Sequence, residues 1–539
     1  MKRPITTMLA PLLAFVLAMA ITVTSCGGDD QDQNGTDPGT NVTPTPEPNK
    51  PSEPEEVEED HERITIKPDN INFANAGGNA KIYVLSTKQD YEIKTEASWL
   101  SFDQQTGHKG EYYITITATK SNEENDRTAQ VVVMSEGLDD IIITITQTGS
   151  VLYPNYNTSP KDPDQAGMTH TAQEIAALMG AGWNNGNALE IPGNETDWGN
   201  PKISQALVDA VYEAGFRNIR IPCSWNSHSN QATCEINATY MNRVKEVVDY
   251  AYNKYNDMFI VVNCHWDNGW LESNIGITVD DDINARQKAL WEQIATVFQD
   301  YDERLLFAST NEPNENGKYE RGTATVKTLN SYHETFINAV RSTGSKNAYR
   351  TLIVQAIGTD AEAALKFQGH NNLPKDNIAD RMMFEVHYYG PYQFCLMGKD
   401  ESWGKVFYYW GDENKSENTE RNCGDYGGAA YCKNLFDQLK KEYVDNGIPV
   451  YVGECSPTHR LVSGYPDMDQ ALHDASICTY LNTVFGYMHE DGIVPVYWDS
   501  GFVNHNNSSG LFDRKAQKIY YLDFINAIRQ AVGLESLPE

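Results

Sequence analysis

Positive charge is scarce in this 539-residue chain. It carries 42 Lys and Arg against 75 Asp and Glu, a formal net charge of −33. That balance excludes a surface built to grip nucleic acid or an anionic membrane face, since both require clustered bases. The nine cysteines contain no CxxC pair at zinc spacing, and no HExxH occurs, so neither a metal nor a cofactor is expected. The apolar run from Met8 to Val23 is roughly 16 residues, short of the ~20 that span a bilayer. What is present is a 40% hydrophobic, 11% aromatic chain, enough to bury a large core and suited to a neutral substrate.

Lys2 and Arg3 precede the Met8–Val23 run, and composition changes sharply after Cys26. Residues 1–25 therefore read as a signal peptide. "VTSC" resembles a bacterial lipobox cleaved just before Cys26, which would then carry acyl chains and tether the protein to the outer membrane; two or more chains anchor stably. The acidic "GGDDQDQ" that follows resembles the export signal of surface-exposed lipoproteins, which makes the cell surface the expected location, although this segment is equally compatible with a periplasmic orientation. From Cys26 to residue 62 the chain is rich in Pro, Asp, Glu, Thr and Asn with one Lys or Arg, Lys50, so it is a linker. As a coil it reaches roughly 30–35 Å, and more where charge and proline extend it. Asp30-x-Asp32-x-Asn34-Gly35 opens like a calcium loop, but Asn41 stands where the bidentate Glu is required.

Residues 63–149 hold short alternating runs separated by turn residues: "RITIK", "KIYVLS", "YEIKT", "YYITITAT", "AQVVVM", "IIITITQT". This pattern predicts a small all-β, immunoglobulin-like sandwich. "ASWLSF" with the closing "IIITITQTG" resembles a BACON-type domain, a module common before glycan-degrading domains. Carbohydrate binding is one reading of it; a spacer with Trp99 packed in its core is the other, and the preferred one.

From residue 150 to 539 one event repeats eight times: a short apolar strand ends in polar or aromatic residues and a helical stretch follows. The strands are "AGWNNGNALE", "FRNIRIPCSW", "MFIVVNCHWDNGW", "RLLFASTNEPN", "TLIVQAIG", "RMMFEVHYYGP", "PVYVGECSP" and "GIVPVYWDSG". Near-continuous apolar strands alternating with helices imply a parallel sheet covered on both faces, and eight units imply an α/β fold of the closed (β/α)8 barrel type. Active sites of such barrels lie at the strand C-terminal ends, where the polar residues fall. Glu312 ends the fourth strand and Glu454 the seventh. Facing across the mouth, two carboxylates can lie about 5–5.5 Å apart, the spacing of a retaining glycosidase.

"STNEPN" and "PVYVGECSP" resemble the acid/base and nucleophile motifs of glycoside hydrolase family 5, and "GWNNGNALE", "IRIP", "NCHWDNGW", "HYYGP" and "YWDSG…GLFDR" follow in the family's order. The resemblance makes Glu312 the general acid/base and Glu454 the nucleophile. It pairs Arg220 with Glu454, sets Asn311 on the sugar 2-hydroxyl, lines the reacting subsite with His265 and His387, has Tyr389 donate to Glu454, and puts Trp498 beneath the sugar. Asn187, at the end of the first strand, is a further candidate substrate contact. Structural competitors exist: a barrel salt bridge for Arg220, core roles for the histidines, plain packing for Trp498, and turn chemistry for Asn187. Many relatives have a second histidine after the one at the third strand; here Trp266 stands there, which bears on fine specificity. Trp225, Trp270, Tyr392, Trp403 and Trp410 are candidate sugar-stacking residues, with Trp270 placed among the substrate contacts. Packing is the alternative for each, and for Trp403 and Trp410 the two readings are balanced. Cys223–Cys234 and Cys423–Cys432 are disulfide options among pairings that sequence leaves open.

The expected protein is thus a retaining endo-β-1,4-glucanase acting on a plant polysaccharide, xyloglucan or mixed-linkage glucan in first place. It is expected to act as a lipid-anchored monomer near other glycan-uptake proteins. The alternatives are an endo-β-1,4-mannanase on the same barrel and a non-catalytic surface glycan-binding lipoprotein.

Overall fold

A computed structural model describes residues 62–87, 90–121, 123, 125–149, 152–315 and 317–538. The leader, Cys26 and nearly all of the linker lie outside the described residues. No described helix is long and apolar enough to cross a membrane.

Between Ile64 and Gln147 two β-sheets pack face to face. One orders strands Ile64–Lys67, Gly78–Ser86, Gly110–Ala118 and Leu100–Phe102, all antiparallel. The other orders Asn70–Phe73, Ile141–Gln147, Arg127–Met134, Tyr91–Lys94 and Thr106–Gly107, with its first pair parallel. The period-2 pattern decides which side chains meet: Ile82, Val84, Ile114 and Ile116 from one sheet face Ile93, Val131, Val133, Ile143 and Ile145 from the other. Trp99 is half-buried against this core, with the Arg127 guanidinium 4.5 Å above its ring.

The remainder forms a closed barrel of eight parallel strands in chain order: β1 Gly182–Asn185, β2 Asn218–Ile221, β3 Phe259–Asn263, β4 Leu305–Ala308, β5 Leu352–Asp360, β6 Met382–His387, β7 Val450–Cys455 and β8 Val494–Asp499. All eight expected strands form in the expected order, and β8 closes on β1. The apolar runs serve two interfaces at once. Ile260, Val262, Leu305, Phe307, Leu352, Val354 and Phe384 join the core beneath the outer helices. Val261, Leu306, Ile353, Met383, Tyr451 and Val496 form a separate cluster with Ile175 and Met179 of helix α1, Ala172–Met179. That helix precedes β1 and seals the bore, so the barrel is filled rather than hollow. Thr171 starts it with a reciprocal capping box to Glu174.

Along the inner face, identity changes from apolar to polar toward the strand C-termini. On β6, Met383 is followed two residues later by Glu385 and then His387; on β5, Ile353 is followed by Gln355. Glu385 and Gln355 are both completely buried. The eight described cysteines are all free thiols, so neither candidate disulfide forms. Cys432 Sγ lies 2.8 Å from Tyr388 Oη, and Cys423 Sγ faces the Gly424 carbonyl.

Candidate active site

Arg220, on β2, is the hub of the barrel mouth. It is completely buried. Its Nη1 donates to Glu454 Oε1 and to Asn184 Oδ1, both at 3.0 Å. Its Nη2 donates to Asn311 Oδ1 at 2.9 Å and pairs with Glu385 Oε1 at 3.0 Å. Burial opposes the charge, but the two carboxylates outweigh it and raise the guanidinium pKa above its ordinary value. One cation thus ties together four strands and the turn after β4.

His387, at the end of β6, is the second hub. Its Nδ1 lies 2.8 Å from Glu312 Oε1 and 3.6 Å from Glu454 Oε2, while its Nε2 lies 3.1 Å from Glu385 Oε1. Burial pulls its pKa down, yet the surrounding carboxylates push it up to about 10. Both ring nitrogens therefore carry hydrogen. Glu312, His387 and Glu454 each offer an atom within 4.8 Å of the other two.

The two acids differ in environment. Burial raises the Glu454 carboxyl, against Arg220, His387 and a 2.9 Å hydrogen bond donated by Tyr389 Oη to Oε2. Burial also acts on Glu312, but the hydrogen bond and charge of His387 hold it below the ordinary range. Glu454 is almost fully enclosed, whereas the Glu312 side chain is 44% exposed. One carboxylate is held rigidly at the floor and the other faces the opening.

His265 lies two residues beyond β3. Asn263 Oδ1 accepts the Cys223 N–H, which leaves its Nδ2 to donate to His265 Nδ1 at 3.2 Å. Burial, then the charges of Arg220 and His387, push the His265 pKa well down. The ring is neutral, with its hydrogen on Nε2. It lies parallel to the Trp498 indole, centroids 5.7 Å apart. Trp498 projects from β8 over Gly186, where any Cβ would press on the ring and on the Asp499 carbonyl.

Other expected site residues separate. Asn187 has a positive φ of 56° and its Nδ2 donates to the Ser500 carbonyl, so its amide joins the first and eighth loops. Trp270 is half-buried between two core clusters. Trp225 and Trp410 are buried, their indole N–H groups held by the Asn263 and Gly427 carbonyls. Trp403 and Tyr392 are 64% and 46% exposed, with centroids 6.0 Å apart, and remain open to stack on sugar.

Glu385 was not singled out as a site residue. The signal lay in "MMFEVH": period 2 puts Glu385 on the same face as His387, and a lone acid in an apolar strand needs a buried cation. Its carboxylate also accepts from Gln355 Nε2 at 2.6 Å. Gly453 lies directly beneath it, since a Cβ there would overlap the carboxylate. Asn184 and Asn263 were likewise not foreseen as supports.

Residues 183–504 match the family model for cellulase, glycosyl hydrolase family 5. The chain belongs to this family. Residues 89–148 match the BACON model, described as a putative N-terminal binding domain. The chain is 32% identical over 484 residues to the xyloglucan-specific endo-β-1,4-glucanase of Bacteroides ovatus, covering 86% of this chain and 90% of the relative. A solved Bacteroides ovatus family 5 xyloglucanase with a XXXG heptasaccharide superposes with TM-score 0.62 at 30% identity, covering 88% of this chain and 100% of that one. A xyloglucan-specific β-1,4-glucanase from a ruminal metagenomic library, in complex with XXLG, superposes with TM-score 0.61 at 38% identity, covering 68% and 98%.

In this family 5 site the Arg220–Glu385–Glu454 assembly should behave as a charge unit. Arg220→Leu leaves two buried carboxylates without their cation and is expected to destabilise the fold by about 3–5 kcal/mol in denaturant unfolding. Adding Glu385→Gln to that variant should restore part of the loss. Additive losses in the double variant would contradict the coupling.

Proposed function

We propose that this protein is a retaining endo-β-1,4-glucanase of plant cell-wall glucan, with xyloglucan as its preferred polymer. One observation carries the mechanism: an oxygen of Glu312 and an oxygen of Glu454 lie within 4.8 Å, with His387 beside both. That is the range of direct displacement, about 5–5.5 Å, rather than the ~6.5–9.5 Å that admits a water for inversion. Glu454 attacks the anomeric carbon as Glu312 protonates the departing glycosidic oxygen, giving a glycosyl–enzyme ester. Glu312, now ionised, takes a proton from water, which cleaves the ester. Two inversions preserve the β-configuration.

The supports follow from geometry. Arg220 and Tyr389 hold Glu454 in place for attack. Asn311 has its oxygen committed to Arg220, so its Nδ2 is the group available to the 2-hydroxyl of the reacting sugar. The Trp498 face, parallel to neutral His265, forms the platform beneath it. His387 favours ionised Glu312. Acid catalysis requires the proton on Glu312, whose Oε1 lies 2.8 Å from His387 Nδ1.

Xyloglucan is favoured because the relatives named above act on it, and the exposed Trp403–Tyr392 pair in the segment after β6 offers aromatic surface for a branched chain. The lipobox-like Val23–Cys26 and the acidic linker support attachment to the outer membrane through acylated Cys26, facing the cell exterior.

On a panel of xyloglucan, mixed-linkage glucan, carboxymethyl cellulose and mannan, xyloglucan should be cleaved fastest and internally; mannan as the best substrate would overturn the assignment. Glu454→Gln should lower kcat by at least about 10³-fold, given that ~8 kcal/mol or more of barrier lowering is shared among few groups. Metabolic labelling with a radiolabelled fatty acid should mark the wild-type protein and not Cys26→Ala; equal labelling would refute the anchor.

A further inference from the structure

A third carboxyl stands behind the two acids with no part in the proposed chemistry. Glu272 lies in the segment after β3 and is 7% exposed. Its Oε2 is buried without a hydrogen-bond partner. Its other oxygen faces Asn311 Nδ2 at 3.5 Å. The Glu272 main chain joins the same turn, its carbonyl accepting the Asn314 N–H at 2.5 Å. Three residues on, Ile275 N–H donates to the Asn314 carbonyl at 3.1 Å and Ile275 bridges to Glu315. The segment 272–275 is thus a brace along the back of Asn311–Glu315. Burial, then the charge of Glu312, push the Glu272 carboxyl up to about 8. A leucine or methionine would fill this place without that desolvation cost, so packing alone does not account for an acid here.

The geometry gives it a task. Asn311 has one amide oxygen and two amide hydrogens. The oxygen is fixed on Arg220. One hydrogen is directed to Glu272, and the plane of the amide then fixes where the second hydrogen points. We propose that Glu272 is a positioning residue, which sets the Asn311 amide from behind so that Asn311 presents its second N–H to the 2-hydroxyl of the sugar being cleaved. This rests on the assignment of Asn311 and Glu312 above. The contact to the 2-hydroxyl strengthens in the transition state, so the effect falls on kcat more than on KM.

The test compares two substrates on each enzyme: an aryl β-cellobioside, and its analogue lacking the 2-hydroxyl on the sugar at the reacting position. The enzymes are wild type, Glu272→Leu, Glu272→Met and Glu272→Gln in the full chain. With the 2-hydroxyl present, the Leu and Met variants should lose kcat by about tenfold or more, as expected of a displaced positioning group. With it absent, their rates should approach those of wild type. The ratio of the two rates cancels the amount of folded enzyme, so modest instability does not disturb the reading. Glu272→Gln retains an amide oxygen for the Asn311 hydrogen and should recover most of the activity. Equal losses on both substrates, or a Gln variant as poor as Leu, would overturn the role of Glu272. A wild-type enzyme indifferent to the 2-hydroxyl would instead overturn the assignment of Asn311, and this proposal with it.

Discussion

Everything at the barrel mouth depends on one buried guanidinium. Arg220 has no access to water, and an isolated charge there would be prohibitively costly. Two carboxylates and two amide oxygens offset that cost by meeting its Nη1 and Nη2 donors. The arrangement constrains in both directions. Glu454 is oriented because Arg220 needs it, and Arg220 is tolerable because Glu454 and Glu385 are there. Gly453 follows from the same demand, since any side chain would displace Glu385. A buried ion network of this kind is weak evidence for stability but a strong source of position.

The loops around that hub repeat a second device, a buried carboxyl that collects main-chain N–H groups. Glu190 accepts from Asn187 and Ala188 behind β1, and burial pushes its pKa up to about 7. Asp267 accepts from Asn226 and Ser227 beyond β3, with burial raising it to about 6. Asp499 accepts from Leu511, Gly501 and the Trp183 indole, and pairs with Arg514. Glu272 is a related case, its carboxyl facing the Asn311 side-chain amide on the turn that bears Glu312. Loop backbone at a barrel mouth lacks sheet partners, so its polar groups must be satisfied by side chains. Acids satisfy them with two acceptor oxygens on one side chain. Raised acids of this kind bind more protons folded than unfolded between about pH 4.5 and their folded values, so their contribution to stability falls as pH rises through that window.

The sequence made the barrel legible because its strands are buried on both sides and read as unbroken apolar runs. The positions of Glu312 and Glu454 followed from where those runs end. Arg220, His387, Tyr389 and Trp498 were readable through the family's motifs, and each stands against an acid or the platform. Glu385 and Glu272 were not singled out, for different reasons. Glu385 stands inside an otherwise apolar run, where only the inner-face periodicity it shares with His387 marks it. Glu272 acts through contacts with residues some forty positions on in the chain, and no local pattern announces that. The aromatics divided for a related reason: a tryptophan near a strand end serves the core or the cleft according to long-range packing, which buried Trp225 and Trp410 and left Trp403 open.

Two carboxylates with oxygens within 4.8 Å, tied to a shared histidine and a buried arginine, have the close spacing of direct displacement and not the wide spacing of inversion by water. The stereochemistry of the first product tests that claim most directly. Proton NMR of a cello-oligosaccharide digest, recorded in the first minutes before mutarotation, should show the β-anomer of the new reducing end appearing first. An α-anomer formed first would mean that water, and not Glu454, reaches the anomeric carbon.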